Sequence, residues 1–395
     1  MQSTFSTVGL SIRLWHPLIT ITEGTPNQCL WIPKHSQASF DADENVSDYS
    51  HTIVDVGGYD TASVTMTDDQ IDMVWWLQWG LGMHLEVRDA SAEVIWEGFV
   101  DTVSATFSGL AVTIGPIVDM GNRVSVVYTP TDLLISGEVQ QVPEETIYVE
   151  DFFSQSRYGI QHLLLNASKQ TAVSAALLRD KHLADRKDPA VSQDWSSTPG
   201  DPAITLGCKG YYHLLNWPYH NATIGSQTVS AKIADILDAD INGLFSSANA
   251  DLMTMTTLVP TQEEQTREAW AILQSLVSLG DNFYRKTLFM VGPDQYVTYG
   301  TRPTEVRYES FLSDPKQAIQ NYGGGDLQKW QIRPGNWVQY NDLMAGFGPA
   351  FDLAERLQVQ YISKVSFSAP DSLQLQGGSS FTVPQVLAQF GIAGE

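Results

Sequence analysis

Between Ala92 and Pro116 the chain reads AEVIWEGFVDTVSATFSGLAVTIGP, and beyond its Ser108-Gly109 step Leu110, Val112 and Ile114 alternate with Ala111, Thr113 and Gly115. A period of two sends alternate side chains to opposite faces of a strand, so the stretch predicts a hairpin with one face in a core. Two β-rich arms of this length need a sheet to join, which commits this part of the chain to a β architecture. The same pattern recurs at Ala62–Met66, and most of residues 5 to 130 read as strand.

The period changes further on. Ile160, Leu163, Leu164 and Ala167, then Val173, Ala176, Leu177 and Asp180, fall three or four apart and predict two short amphipathic helices. Ile204, Leu206 and Cys208 return to alternation, with Gly210 ending the run. Val229, Ile233, Ile236 and Leu237 share a helical face, and Asn242-Gly243 offers a stop because both residues tolerate positive φ. Thr261 and Glu264 have capping-box spacing ahead of a helix bearing Ala269, Trp270, Leu273, Leu276 and Val277, ending at Gly280. A second hairpin follows, LFMV and YVTY around Gly292–Gln295. After Gly323-Gly324-Gly325 come the strand runs KWQIRPGNWVQY and RLQVQYISKVSFSAP, then a weak C-terminal helix that reads as an arm. Asp68 and Asp69 read as the opening of a helix carrying Ile71, Val74, Trp75 and Leu77.

The 395 residues exceed the roughly 250 to 300 over which one core keeps growing, so several domains are expected. The expected class is α+β, mainly β, with β-barrel or sandwich domains. The expected divisions are a β domain at 1–134, a helical linker at 135–200, an α+β domain at 201–325, and a second β segment with a C-terminal arm at 326–395.

With 22 Lys and Arg against 45 Asp and Glu, the formal net charge is −23, and no Lys/Arg cluster exceeds a pair. The chain therefore lacks the basic footprint by which proteins hold nucleic acid or an anionic membrane. Solubility explains the excess; a sharper reading is a surface past which DNA slides without sticking. Cys29 and Cys208 lack CxxC partners and read as buried free thiols of a protein made in a reducing cytoplasm. The N-terminus has no signal-peptide pattern, and no run of 18 apolar residues occurs, so neither export by a signal peptide nor membrane insertion is expected.

Motifs for chemistry are sparse. GxxxxGK[ST], strand-linked GxGxxG, HExxH and GxSxG are all missing from the sequence. No enzyme and no cofactor is predicted. Asp238, Asp240 and Asn242 before Gly243 match the first half of a calcium loop, yet position twelve is Asn249 where the bidentate Glu belongs. The same letters also describe a helix end with an Asn-Gly stop. Two aromatic clusters, Trp75, Trp76 and Trp79, and Tyr211, Tyr212 and Trp217, are candidate interface anchors or core residues. His213 reads as a packed histidine with one hydrogen bond.

Several strings are similar to a known family. SQSRYGI followed by AALLRDKHL resembles the linker of tailed-phage (siphophage) tail hub proteins, and VIWEGFVDTVSATFSGLAVTIGPIVDMGNRVSVVY looks like their N-terminal domain. ITLGCKGYYHLLNW, AWAILQSLVSLGD and IRPGNWVQYNDL are similar to later segments in the same order. The resemblance implies a baseplate or tail-tip hub: a ring-forming homo-oligomer, commonly a trimer, joining the tail tube or distal tail protein to a central fibre or spike. DNA would pass through it without being bound. Such hubs carry two similar β-barrels per chain; the regions about 1–134 and 326–376 suit that plan, with strands borrowed from 200–215 if the second is too short. It further implies a virion tail location after assembly in the host bacterial cytoplasm, and makes SQSRYGI a structural splice with Tyr158 packed and Arg157 paired. A carbohydrate-binding distal tail or receptor-binding protein, and a tail-associated peptidoglycan hydrolase, are the alternatives.

Overall fold

The computed structural model describes residues 9–377 apart from 23, 25–27, 37–38, 43–44, 68–71, 132–133, 136–137, 140–142, 197–200, 222–226, 256–257, 260–264, 282–284, 312–318, 326 and 342–358. Asp68, Asp69, the Thr261–Glu264 capping box and the C-terminal arm lie outside these residues.

The predicted hairpin forms from Val94–Phe107 and Leu110–Ile114, antiparallel from Val103↔Ile114 to Phe107↔Leu110. Ser108 and Gly109 both take positive φ (48° and 86°), the backbone a tight two-residue hairpin turn requires. Val94–Phe107 is the longest strand and serves as a hub for pairing. Its first half pairs with His84–Asp89, and its second half also pairs with Ala203–Lys209.

Following the ladder shows a closed ring of strands. Leu10–Trp15 pairs with His84–Asp89, which pairs with Val94–Phe107, then Ala203–Lys209, Val56–Met66 and Val46–Val54. Phe40–Asp41, just ahead of Val46–Val54, pairs back onto Arg13 and Leu14. Inward side chains alternate along Ala203–Lys209, where Ile204, Leu206 and Cys208 are buried, and Ile12 and Leu14 do the same on Leu10–Trp15, whereas His84–Asp89 is buried on both faces. Each fully buried side chain of Leu or Ile size contributes about 1.5–3 kcal/mol through apolar area removed from water.

The fourth strand of the ring, Ala203–Lys209, comes from residues distant in sequence and seats between two partners at close range. A Cβ on Gly98 would lie 2.2 Å from the Lys209 carbonyl oxygen, and one on Gly210 would lie 1.7 Å from that of Tyr59. Only hydrogen fits at these points, which gives both glycines a reason independent of φ.

Helices α4, Val229–Asp238, and α5, Ala269–Ser278, bury the predicted faces, and the Thr287–Val291 and Val297–Thr301 hairpin packs with them on the same continuous core. α4 ends at Asp238, four residues before the Asn-Gly step, and Gly243 provides the positive φ of a later turn. A second, smaller core holds Tyr308, Ile332, Val338, Ile362 and Val365. Its sheet joins the ring because Val359–Ser368 pairs with Val46–Val54 as well as with Ser372–Gly377. Hydrogen bonding therefore crosses from the region 201–325 and from the region 326–395 into the ring. In KWQIRPGNWVQY only Trp337–Asn341 is strand; Lys329–Gln331 form one 3-10 turn.

The region 135–200 departs from two successive amphipathic helices. α1, Met73–Trp79, and α2, Phe152–Tyr158, are short, and His162–Gln170 is a strand running parallel to Arg123–Pro130. The apolar run LLL suits a helix face or a covered strand equally, and the open edge of Arg123–Pro130 decides for the strand. α3, Ala172–Arg186, is helical as expected, but Val173 and Leu177 are 71% and 66% exposed. Ala175 and Leu178 face inward instead, against Val126 and Tyr128.

Candidate functional site

The site is built by strand register. Antiparallel pairing of His84–Asp89 with Val94–Phe107 sets Glu86 directly opposite Glu97, and the period of two puts His84 on the same face. All three side chains are fully buried. Carboxylates facing each other across a ladder repel, so each needs its own partner. Glu86 accepts from Lys34 Nζ at 2.8 Å and from Arg88 Nε. Glu97 accepts from the Asp294 backbone N–H at 3.0 Å and from Gln295 Nε2 at 2.8 Å.

Those last donors come from the Gly292–Gln295 turn, where Asp294 and Gln295 both have φ near the left-handed helix value, 55° and 56°. Non-glycine residues hold that conformation at a cost of about 1–2 kcal/mol each, offset here by donors delivered to a buried carboxylate. Lys34 also reaches Asp294 Oδ1 at 3.4 Å, tying the turn to the Glu86 end of the cluster.

Electrostatics separate the two glutamates. Burial pushes the Glu97 carboxyl up to about 7, the Asp294 N–H only partly countering it. Burial also pushes Glu86 up, but hydrogen bonds from Arg88 and Lys34 outweigh it and hold Glu86 below the usual carboxylate value. Burial lowers His84 to about 3, so its imidazole is neutral at pH 7. His84 Nδ1 bonds Tyr211 Oη at 2.6 Å, while buried Nε2 has no hydrogen-bond partner. A cavity of about 400 Å³ lies beside the cluster, lined by Leu30, Trp31, Lys34, Leu244, Asp294 and Gln295.

Neither His84, Glu86 nor Glu97 stood out in the sequence. Their signal was the placement of ionisable residues at inward positions of otherwise apolar strands, which becomes readable once the Glu86↔Glu97 register is known.

The residues singled out from sequence divide into two groups. Tyr211, Tyr212 and Trp217 are core: Tyr211 Oη hydrogen-bonds His84 Nδ1 at 2.6 Å, Tyr212 Oη donates to Asp60 at 2.6 Å, and Trp217 is 1% exposed. Buried within their own chain, they present no surface to a partner. His213, beside Tyr212, pairs with Asp60 at 3.0 Å.

Trp75 and Trp76 are half-buried on α1 and Trp79 is 48% exposed. Trp75 and Trp79 line a cleft of about 470 Å³ with His16, Pro17 and Arg157. Arg157 of the SQSRYGI string donates to the Gln78 carbonyl and lies 5.7 Å from the Trp79 ring and 5.3 Å from that of buried Tyr158. The string thus splices α2 to α1 through a cation over two rings. Trp217→Ala is expected to lower unfolding free energy by about 3–5 kcal/mol through the cavity it leaves. Trp79→Ala should change it by less than about 1 kcal/mol. Urea unfolding of the two variants checks the contrast; equal losses would contradict it.

The calcium-like letters are spent on the chain itself. Asp240 accepts N–H bonds from Asn242, Leu244 and Phe245, at 2.9, 2.7 and 2.9 Å, and burial still pushes it up to about 6. Asp238 accepts from the Ser247 N–H and hydroxyl, at 2.7 and 2.8 Å. The Asn242 amide brackets the Ile160 backbone, accepting from its N–H and donating to its carbonyl, both at 2.9 Å. Both cysteines are free and buried, and burial pushes the Cys29 thiol up to about 11 and Cys208 higher still. Neither presents a thiolate at neutral pH.

No protein-family model matches the chain, and no curated protein matches it. Solved structures similar to it include the 43 kDa tail protein of prophage MuSo2 from Shewanella oneidensis, at 9% identity, a TM-score of 0.42, and coverage of 92% of this chain and 95% of that one. The E. coli c3393 protein, described as a type VI secretion system component with structural similarity to the T4 bacteriophage tail proteins gp27 and gp5, aligns at 10% identity and a TM-score of 0.39, over 84% of this chain and 72% of that one. A tail protein from Neisseria meningitidis MC58 aligns at 9% identity and a TM-score of 0.37, over 95% and 99%.

Proposed function

We propose that this chain is a structural tail protein of a tailed bacteriophage, acting as a baseplate or tail-tip hub between the distal tail tube and a central fibre or spike. The observation that carries the reading is the seam of the ring. VIWEGFVDTVSATF and ITLGCKGYYHLLNW, two strings that resemble tail hub proteins and lie far apart in sequence, are the strands that hydrogen-bond there, Cys208↔Val100 and Leu206↔Val103 among them.

The five-stranded sheet at the C-terminal end, with its own small core, stands as the second β unit of the hub plan. In this reading three chains make one ring. The net charge of −23 then has a use, because duplex DNA carries one negative charge per about 1.7 Å of axis and slides best past a wall that repels it. The role is structural rather than catalytic.

Light scattering and negative-stain imaging of the purified chain across a concentration series test this. Trimers with a central hole are expected; monomers at every concentration would remove the ring-forming reading and bring cell-wall binding assays forward.

A further inference from the structure

We propose that His84, Glu86 and Glu97 form a site for a divalent transition-metal ion of the zinc type, inside the ring wall beneath the cavity lined by Lys34, Asp294 and Gln295. The inference is independent of the tail reading.

Three observations carry it. One ligand atom from each residue lies within 4.8 Å of the other two, the single such group of His, Cys, Asp and Glu among the described residues. Ligands bound at about 2.0–2.2 Å sit some 3–4 Å from one another, so a small closing motion completes the set. His84 Nε2 is fully buried without a hydrogen-bond partner, which in a protein interior is a cost unless something occupies it. Tyr211 Oη holds the other ring nitrogen at 2.6 Å; with Nδ1 donating, Nε2 presents its lone pair, the orientation that an outer partner gives a ligating imidazole.

The donor set of one imidazole and two carboxylates suits zinc, manganese or cobalt ahead of calcium or magnesium, which favour oxygen-only cages. Charge explains how the site stays intact without metal. Lys34 and Arg88 neutralise Glu86, and Lys34, only half-buried, already reaches toward Asp294 at 3.4 Å. An entering dication displaces the Lys34 ammonium along that path into the adjoining cavity. Lys34 therefore acts as a competitor for the site, and its removal strengthens binding.

The test uses the full chain, dialysed against chelator and titrated with zinc sulfate by calorimetry, with bound metal counted by elemental analysis and melting temperature recorded. About one zinc per chain and a raised melting temperature are expected. Glu97→Gln, which preserves size, should weaken binding at least tenfold, Lys34→Met should tighten it, and His213→Asn, at a different histidine-carboxylate pair, should leave it unchanged. No saturable binding to the wild-type chain, or equal affinity in Glu97→Gln and wild type, would overturn the proposal. Because Lys34→Met deletes only a half-exposed amine, it keeps the test decisive if Glu97→Gln fails to fold: unchanged or weaker zinc binding in Lys34→Met also counts against the site.

Discussion

Gly210→Ala is expected to lower the unfolding free energy by about 3 kcal/mol or more, a loss large enough to unfold part of the population at 37 °C. The backbone conformation is not the reason. Gly210 has φ −69° and ψ 157°, values any residue adopts. The reason is contact: the added methyl would stand 1.7 Å from the Tyr59 carbonyl oxygen, and that oxygen belongs to the backbone of the neighbouring strand, which has nowhere to go. The Gly210 N–H is also bonded to the Asp60 carbonyl at 2.8 Å, so any retreat of the chain breaks the bond that ends the strand. Gly323→Ala provides the control, with φ 84° and no atom within 4 Å of the added methyl. It should cost only about 1–2 kcal/mol, the penalty of a left-handed backbone. Urea denaturation of the two variants separates the mechanisms. If Gly210→Ala loses no more than Gly323→Ala, the close seam between the Ala203–Lys209 and Val56–Met66 strands is not as described.

That seam also marks how far the sequence could be read. The Ser108-Gly109 hairpin was legible because its turn and both arms are local. The alternation of Ile204, Leu206 and Cys208 was equally plain. What alternation does not carry is the partner: nothing in residues 203–209 says they enter between two strands more than ninety residues earlier. His162–Gln170 was misread for a related reason. A leucine run spaced three and four apart has two solutions, and the open edge of Arg123–Pro130 that selects one is a tertiary fact.

The inward face of α3 failed on the same ground, since apolar spacing nominated Val173 and Leu177 while the small Ala175 is what fits beneath the sheet. Aromatic density was blind to depth. Trp79 and Trp217 look alike in sequence, yet one lies at a cleft and the other in the core, because the ring closes over residues 211–217 and leaves α1 at its margin. The His84, Glu86 and Glu97 cluster was hidden by the need for register, and the calcium-like letters were a helix end whose carboxylates cap backbone amides.

Asp55→Ala is expected to cost about 3–5 kcal/mol, the penalty for removing one partner of a buried ion pair. Asp55 sits between the Val46–Val54 and Val56–Met66 strands, and its carboxylate holds elements from three parts of the chain. It accepts from the Tyr361 hydroxyl at 2.9 Å and pairs with Arg302, whose guanidinium lies 4.5 Å from the Tyr361 ring. Its own N–H donates to the Ser363 carbonyl at 3.0 Å, and its carbonyl accepts from Phe289. Burial raises the Asp55 carboxyl more than Arg302 and Tyr361 lower it, so the charge is held against a real desolvation penalty. Truncation strands the guanidinium, whose Nε already has no partner, and frees the Tyr361 hydroxyl in the interior.

The loss should be shared unevenly. The C-terminal sheet meets the ring through the Val359–Ser368 strand, so hydrogen exchange in that strand should rise more than in His84–Asp89 on the far side of the ring. A double-mutant cycle with Arg302→Met distinguishes coupling from coincidence. Removing both charges should restore part of what Asp55→Ala loses, because a charge without its partner is worse than no pair. Losses that simply add would mean that Asp55 and Arg302 act separately, and that the C-terminal sheet is held by its backbone ladder alone.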